Sequence, residues 1–212
     1  MFRVLSFDAD GTLVTRDFVD LFWEEGVPEL YASKNGISFE EAKEYVMKKY
    51  AEIGEEDIRW YMPKYWFDVF RLQENPRELM KKYEEHLKLY PEVTDVLKEL
   101  GEDYELVISS NAARDFLDIE VKKIKHHFSH VFSSTSDFGA VRKTPDFYSK
   151  VCEILKVKPS EIVHIGDHWN FDFMVPRKIG IEAFYLDRNR EKHGSFVLKD
   201  LRDLRHKLQR LG

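Results

Sequence analysis

Residues 2–14, FRVLSFDADGTLV, decide the fold. The run from Phe2 to Phe7 is short and mostly apolar, and it is bounded by the polar, glycine-containing DADGT, the pattern of a buried strand that ends in a tight turn. Comparable runs occur only much later. They are YELVIS ending at Ser109, EIVHI ending at Ile165 and IEAFYL ending at Leu186, with a weaker one, HVFSS, near Val131 to Ser133.

Helical patterns lie between these runs. Pro91 opens PEVTDVLKEL, whose Val93, Val96, Leu97 and Leu100 recur at helical spacing, with Gly101 as the expected C-cap. Asp146 to Leu155 repeats the device, with Phe147, Val151, Ile154 and Leu155 on one face. Strands alternating with helices predict parallel βαβ units in an α/β, doubly wound sheet. The first strand stands apart from the others, because the sequence from Thr15 to about Leu89 reads as wholly helical. There Ser38 with Glu41 forms a capping box, Gly54 marks a break and Pro76 opens a last helix. This stretch holds many of the aromatic residues, among them Phe22, Trp23, Tyr50, Trp60, Tyr61 and Trp66, which are expected to form its core. The predicted organisation is a sheet-bearing core from residues 1–15 and 89–212 with a helical domain, 16–88, inserted after strand one. In the tail, Leu198, Leu201, Leu204, Leu208 and Leu211 are expected on one side of an amphipathic helix.

Composition narrows the partners. The chain has 212 residues, 43% of them hydrophobic, and no stretch approaches a membrane span or resembles a signal peptide, which predicts a cytoplasmic protein without membrane association. A net charge of −6 with both signs interspersed gives no footprint for nucleic acid. The single cysteine, Cys152, has no internal disulfide partner and falls on an apolar helix face. Oligomeric state is not encoded in any of these features.

In open α/β sheets the functional groups gather beyond the carboxyl ends of the strands. Here those positions are consistently polar: Asp8 and Asp10 with Gly11 after strand one, Ser110 and Asn111 after the second run, Lys143 before a helix, and Asp167 and Asp172 after EIVHI. If the strand ends adjoin, four carboxylates share a small space with one ammonium. Two like charges about 4 Å apart repel by roughly 4 kcal/mol at an effective dielectric of 20, so either some carboxylates stay protonated or a divalent cation binds. An oxygen-only ligand set favours Mg²⁺, drawn from Asp8, a main-chain carbonyl near Asp10, Asp167 and Asp172. Ser110, Lys143 and turn N–H groups near Asp10, Gly11 and Asn111 would then cradle a phosphoryl group. Asp8 is placed to attack phosphorus and give an aspartyl-phosphate, while Asp10 protonates the leaving alkoxide and later takes a proton from water.

In this order, DADGT, Ser110–Asn111, Lys143 with Pro145, and GDHWNFD, the chain resembles the haloacid dehalogenase-like hydrolase superfamily over Met1 to Val14 and about Tyr90 to Asp187. The resemblance implies a Rossmann-like core with a helical cap inserted after the first strand, as in phosphoglycolate-phosphatase-like members. It further implies Asp8 as nucleophile, Asp10 as acid and base, Ser110 and Lys143 as phosphate ligands, Asp167 as a magnesium ligand, and Asp172 as a further ligand or a group that orients the ligands. A small phosphorylated metabolite is the expected substrate. Dehalogenase and phosphomutase chemistries occur on the same fold, and a non-enzymatic phospho-aspartyl module is a further alternative. Asp10 argues against halide displacement, and the long helical insert argues against a minimal switch. Arg16, Arg59 and Arg71 are the cations of the insert considered for a second anionic group, and HHFSH (His126, His127, His130) is a weak transition-metal alternative.

Overall fold

In the computed structural model, which describes residues 1–211, strand β1 (Val4–Phe7) is the hinge of the architecture. It is followed by helices α1 (Asp17–Leu21), α2 (Val27–Asn35), α3 (Phe39–Ile53), α4 (Pro63–Phe70), α5 (Pro76–Tyr83) and α6 (Val93–Leu100), and only then by strand β2 (Glu105–Ser110). After these come α7 (Arg114–Glu120), β3 (His130–Ser133), α8 (Ser134–Phe138), α9 (Pro145–Leu155), β4 (Ile162–Gly166), α10 (Val175–Arg177), β5 (Glu182–Leu186), β6 (Val197–Leu198) and α11 (Asp203–Gln209). The strands form one parallel sheet in the order β3-β2-β1-β4-β5-β6. The order reverses at β1, since the chain proceeds outward to β2 and β3 and then returns to the other side of β1 for β4. A crevice at the carboxyl ends is expected at such a reversal.

Both faces of β1 are covered, which is why its sequence is nearly continuous in apolar residues. Leu5 and Phe7 point into a mainly aliphatic layer with Val96, Leu97, Leu117 and Leu204 of α6, α7 and α11. Val4 faces the opposite layer, built from Phe147, Tyr148, Val151 and Cys152 of α9 with Val175 and Ile181. Register brings Phe7 level with Ile108 of β2 and Ile165 of β4, so the residues after these strands emerge together.

The insert between β1 and α6 has a separate core. Phe18, Phe22, Tyr50, Trp66, Phe67, Phe70 and Tyr83 fill it, joined by Phe116 of α7 from the sheet-bearing part. Local chemistry sets its boundaries. Ser38 caps α3 by accepting from the Glu41 N–H while the Glu41 carboxylate accepts from the Ser38 N–H, as the sequence predicts. Asn75 caps α5 just before Pro76. Entry and exit lie side by side: Thr15 N–H donates to Lys88 O at 2.9 Å, Tyr90 N–H donates to Leu13 O at 3.1 Å, and Val14 bridges to Leu89.

Two expectations are corrected. Leu198 belongs to the short strand β6, and α11 begins only at Asp203; Leu201, Leu204 and Leu208 are buried as expected while Leu211 is 48% exposed. Ile154 is 47% exposed because Cys152 takes the inner position on α9. Gly101 is the C-cap of α6, as expected, and caps it with right-handed angles (φ −67°, ψ −12°) rather than in the left-handed conformation. Among the described residues no helix is long and apolar enough to cross a membrane.

Candidate active site

Asp8 follows the last residue of β1, and its N–H donates to Ile165 O at 2.8 Å, which ties it to the end of β4. The turn after it is compact: Leu13 N–H and Val14 N–H both donate to Ala9 O. Gly11 is required here for two reasons. Its φ is +71°, and a Cβ at this position would lie 2.1 Å from Asp167 Oδ2. A second tight approach occurs at Gly166, where a Cβ would lie 2.3 Å from Asp172 Cγ. The two glycines therefore allow the DADGT turn and the end of β4 to close around the carboxylates of Asp167 and Asp172.

Asp8, Asp167 and Asp172 each present a carboxylate oxygen within 4.8 Å of the others. Lys143, only 1% exposed, reaches into this group from the loop before α9. Its ammonium donates to Asp8 Oδ1 at 2.5 Å, to Ser109 O at 3.1 Å and to Asp172 Oδ1. Asp172 is held on every side, since Oδ1 also takes His164 Nε2 at 3.0 Å and Oδ2 accepts from His168 N–H at 2.9 Å. Behind His164, Ser6 Oγ bonds its Nδ1 at 2.9 Å and Ser109 Oγ at 2.9 Å, all in the buried sheet. A polar chain thus runs from Ser109 through Ser6 and His164 to Asp172, Lys143 and Asp8.

Three carboxylates facing one ammonium are undercompensated, and the proton equilibria reflect it. Burial raises the Asp8 carboxyl well above its ordinary value, with Lys143 opposing and Asp172 and Asp167 adding to the rise. Asp167 is pushed up to about 7, first by burial and then by Asp172. Asp172 goes the other way: although burial raises it, the adjacent Lys143 and His164 hold it well below the ordinary range. Lys143 loses some basicity to burial, but Asp172 and Asp8 more than restore it, so it stays an ammonium. An all-oxygen group short of positive charge fits a hard divalent cation such as Mg²⁺.

The predicted residues do not all occupy the expected roles. The Asp10 carboxylate lies outside the three-carboxylate group and faces Glu120 of α7 instead, so any contact of Asp10 with a metal would be through its main chain. Burial raises both members of this carboxyl pair, Glu120 more strongly. The Gly11 N–H is taken by Val14 O at 2.8 Å, which removes it as a phosphate donor; its contribution is space. The Asn111 side-chain oxygen accepts from Lys143 N–H at 2.8 Å and from Ser134 Oγ at 3.2 Å, so it anchors the lysine loop. Ser110, buried at the crevice floor, accepts from Ala112 N–H at 3.0 Å, which leaves its hydroxyl proton available.

Other residues were not foreseen. Arg188 clamps the DADGT turn by donating to Gly11 O at 3.1 Å and Thr12 O at 2.6 Å, lies over the Tyr90 ring, and pairs with Glu92 at 2.8 Å. Arg142, beside Lys143, spans to the insert through Glu55 at 3.0 Å and Glu56 at 2.7 Å and lies over Phe171. His164 did leave a trace in the sequence, since a histidine within EIVHI interrupts an otherwise apolar strand.

Above the carboxylates is a cavity of about 330 Å³, floored by Asp8, Ser110 and Lys143 and walled by Trp23, Tyr50 and Trp60 of the insert. Of the three arginines considered in the insert, Arg16 lines it; Arg59 is fastened to Asp57, and Arg71 sits at the left-handed end of α4. The His126 and His127 rings lie 4.1 Å apart, tilted by 38°, and they form no metal-competent cluster among the described residues.

Residues 2–180 match the family of haloacid dehalogenase-like hydrolases, and the chain belongs to that family. The GMP/IMP nucleotidase YrfG of Escherichia coli is 25% identical over 167 residues, 76% of this chain and 72% of that protein. A crystal structure of a HAD phosphatase from Thermococcus onnurineus superposes with a TM-score of 0.85 at 26% identity, covering 98% of each chain. A 2-haloacid dehalogenase from Pseudomonas syringae shares the fold, with a TM-score of 0.69 at 17% identity over the full length of both. The chain is thus a hydrolase of the phosphatase type.

Proposed function

We propose that the protein hydrolyses small phosphomonoesters with Asp8 as the nucleophile. The observation that carries this reading is the placement of Asp8 at the end of the central strand, one oxygen fixed by Lys143 at 2.5 Å inside the Asp8, Asp167 and Asp172 group. With Oδ1 so held, Oδ2 is the oxygen left to attack phosphorus. Asp8, Asp167 and Asp172, with the Asp10 main chain, would hold Mg²⁺, which supplies charge neutralisation for an anionic substrate and for the developing charge of the transition state.

The remaining steps belong to the chain's own groups. The Ser110 hydroxyl donates to the phosphoryl oxygens. Lys143, its three protons shared among Asp8, Asp172 and Ser109 O, orients Asp8, favours its ionised form against burial and lends positive charge to the phosphoryl group. Attack of Asp8 on phosphorus forms the P–O bond of an aspartyl-phosphate as the ester P–O bond breaks, and Asp10 gives its proton to the departing alkoxide. Burial raises the Asp10 carboxyl and so favours its protonated form at that moment, against the Glu120 hydrogen bond, which lowers it. Asp10 then takes a proton from the water that attacks the phosphoryl group, which releases phosphate and regenerates Asp8. The helical insert is proposed to act as a cap that shields this intermediate from bulk solvent.

The test is a panel of phosphate esters assayed with and without Mg²⁺, using wild type and Asp8→Asn. Purine nucleoside monophosphates belong in the panel because the Escherichia coli relative is a GMP/IMP nucleotidase. Magnesium-dependent release of phosphate by wild type alone is expected. Activity that survives chelation would remove the metal from the proposal, and dechlorination of 2-chloropropionate without ester hydrolysis would replace the reaction altogether.

A further inference from the structure

The wall that the insert gives the cavity has a composition that the phosphoryl chemistry does not require. Trp23, Tyr50, Trp60 and Tyr61 line the cavity there, and Phe116 lines it from α7. These rings are mutually braced. Trp23 stands edge-on to Tyr50 at 5.5 Å and 89°, and lies 5.6 Å from Phe116. Trp60 is edge-on to Tyr61 at 4.9 Å, and its carbonyl accepts from Trp66 Nε1–H at 3.1 Å. Trp23, Trp60 and Tyr61 are each only partly buried, so ring surface remains exposed to the cavity.

Charge in the same region is equally informative. The lining carries Asp20, Glu24 and Glu55, while its only cations are Arg16 and Lys143. Lys143 is committed to Asp8 and Asp172, and Arg16 lies 3.8 Å from Asp20. Arg142, just outside, is committed to Glu55 and Glu56. Among the described residues, then, the one cation of the cavity wall outside the Asp8 and Asp172 group is Arg16, loosely paired with Asp20, and it is outnumbered by Asp20, Glu24 and Glu55, which would repel a second anionic group.

We infer that this side of the cavity is the leaving-group site, and that it selects an ester whose leaving group is an uncharged aromatic system over one carrying a carboxylate or a second phosphate. The inference rests on the phosphatase reading for the position of the phosphoryl group. Flat π-systems gain from stacking on indole and phenol rings already fixed by their neighbours, so little ordering is lost on binding. The carboxylates can accept hydrogen bonds from ring N–H or sugar hydroxyl groups without a formal counter-charge. Trp60 and Trp23 are the specificity-determining residues.

The experiment compares kcat/KM, in saturating Mg²⁺, for a purine nucleoside 5′-monophosphate, glycerol phosphate and phosphoglycolate, with wild type and Trp60→Ala. Wild type is expected to prefer the nucleotide to phosphoglycolate at least tenfold. Trp60→Ala is expected to lose roughly tenfold on the nucleotide, mostly through KM, at least five times its loss on glycerol phosphate. A preference for phosphoglycolate, or an equal loss on every ester, overturns the inference. Binding of the unphosphorylated nucleoside, read as quenching of tryptophan fluorescence in wild type and Asp8→Asn, tests the slot without catalysis. If no ester is hydrolysed the phosphatase reading fails, while saturable quenching that weakens in Trp60→Ala still supports the slot and its absence refutes it.

Discussion

The two halves of the molecule are built from different materials. The core on the α6–α11 side of the sheet is almost wholly aliphatic, with Leu, Val and Ile from β1, β2, β4 and their covering helices. The insert is packed with interlocked aromatic rings, including Phe22 against Phe116 at 4.9 Å and Tyr50 against Trp66 at 4.7 Å. The aliphatic layer fixes strand register, and register fixes where the charged tips meet. The aromatic layer fixes no charge, but its outer rings are the walls of the cavity. On the proposed reading, chemistry and selectivity therefore rest on separate packing problems.

Four measurements would break or sharpen that contrast. Asp8→Asn changes one atom at a strand end and leaves both cores intact; kcat should fall by at least about 10³-fold with the melting temperature nearly unmoved. Lys143→Met attacks the charged group where the strand ends converge. It leaves Asp8 and Asp172 buried without their shared ammonium, and a loss of about 3–5 kcal/mol is expected in urea unfolding as well as loss of turnover. Trp66→Ala probes the aromatic core and removes the donor to Trp60 O. A cost of about 3–5 kcal/mol is expected, with KM changed more than kcat, whereas Leu97→Ala in the aliphatic core should cost about 2–5 kcal/mol and disturb kcat. Identical kinetic signatures for these two variants would abolish the division proposed here.

The smallest effect concerns pH. Asp167 has an ordinary value of 3.8 when exposed and about 7 when folded. A raised value means that the folded state holds the proton more tightly, so the contribution is complete below about pH 4 and is lost as pH rises through 7. In EDTA the melting temperature should therefore decline by a few degrees between pH 5 and 8, and Mg²⁺ should flatten the slope. A flat profile in EDTA, or a slope indifferent to Mg²⁺, would contradict the electrostatic account of the carboxylate group.

Much of this was legible in the sequence because buried parallel strands leave an unbroken apolar signature, and the polar residues just past Phe7, Ser109 and Ile165 could be read as a set. Strand β6 escaped because two residues, Val197 and Leu198, are too short to show a period. Glu120 escaped for a different reason. Its partner Asp10 is far away in the chain, and a glutamate at a helix end ordinarily indicates solvent, whereas here it is only 1% exposed. The hydrogen-bond commitments of Gly11 and Asn111 were equally invisible, since residue type reveals which groups can donate but not which are already engaged.

The pairing of Val14 with Leu89, flanked by the Thr15–Lys88 and Leu13–Tyr90 bonds, makes the helical segment a pendant whose chain entry and exit are joined in one short ribbon. A pendant can lengthen or shorten at little thermodynamic expense, because loop-closure entropy grows only logarithmically with the residues enclosed. Changes in its size are therefore absorbed at the ribbon, and the spacing between Asp8 and Asp167 is insulated from them.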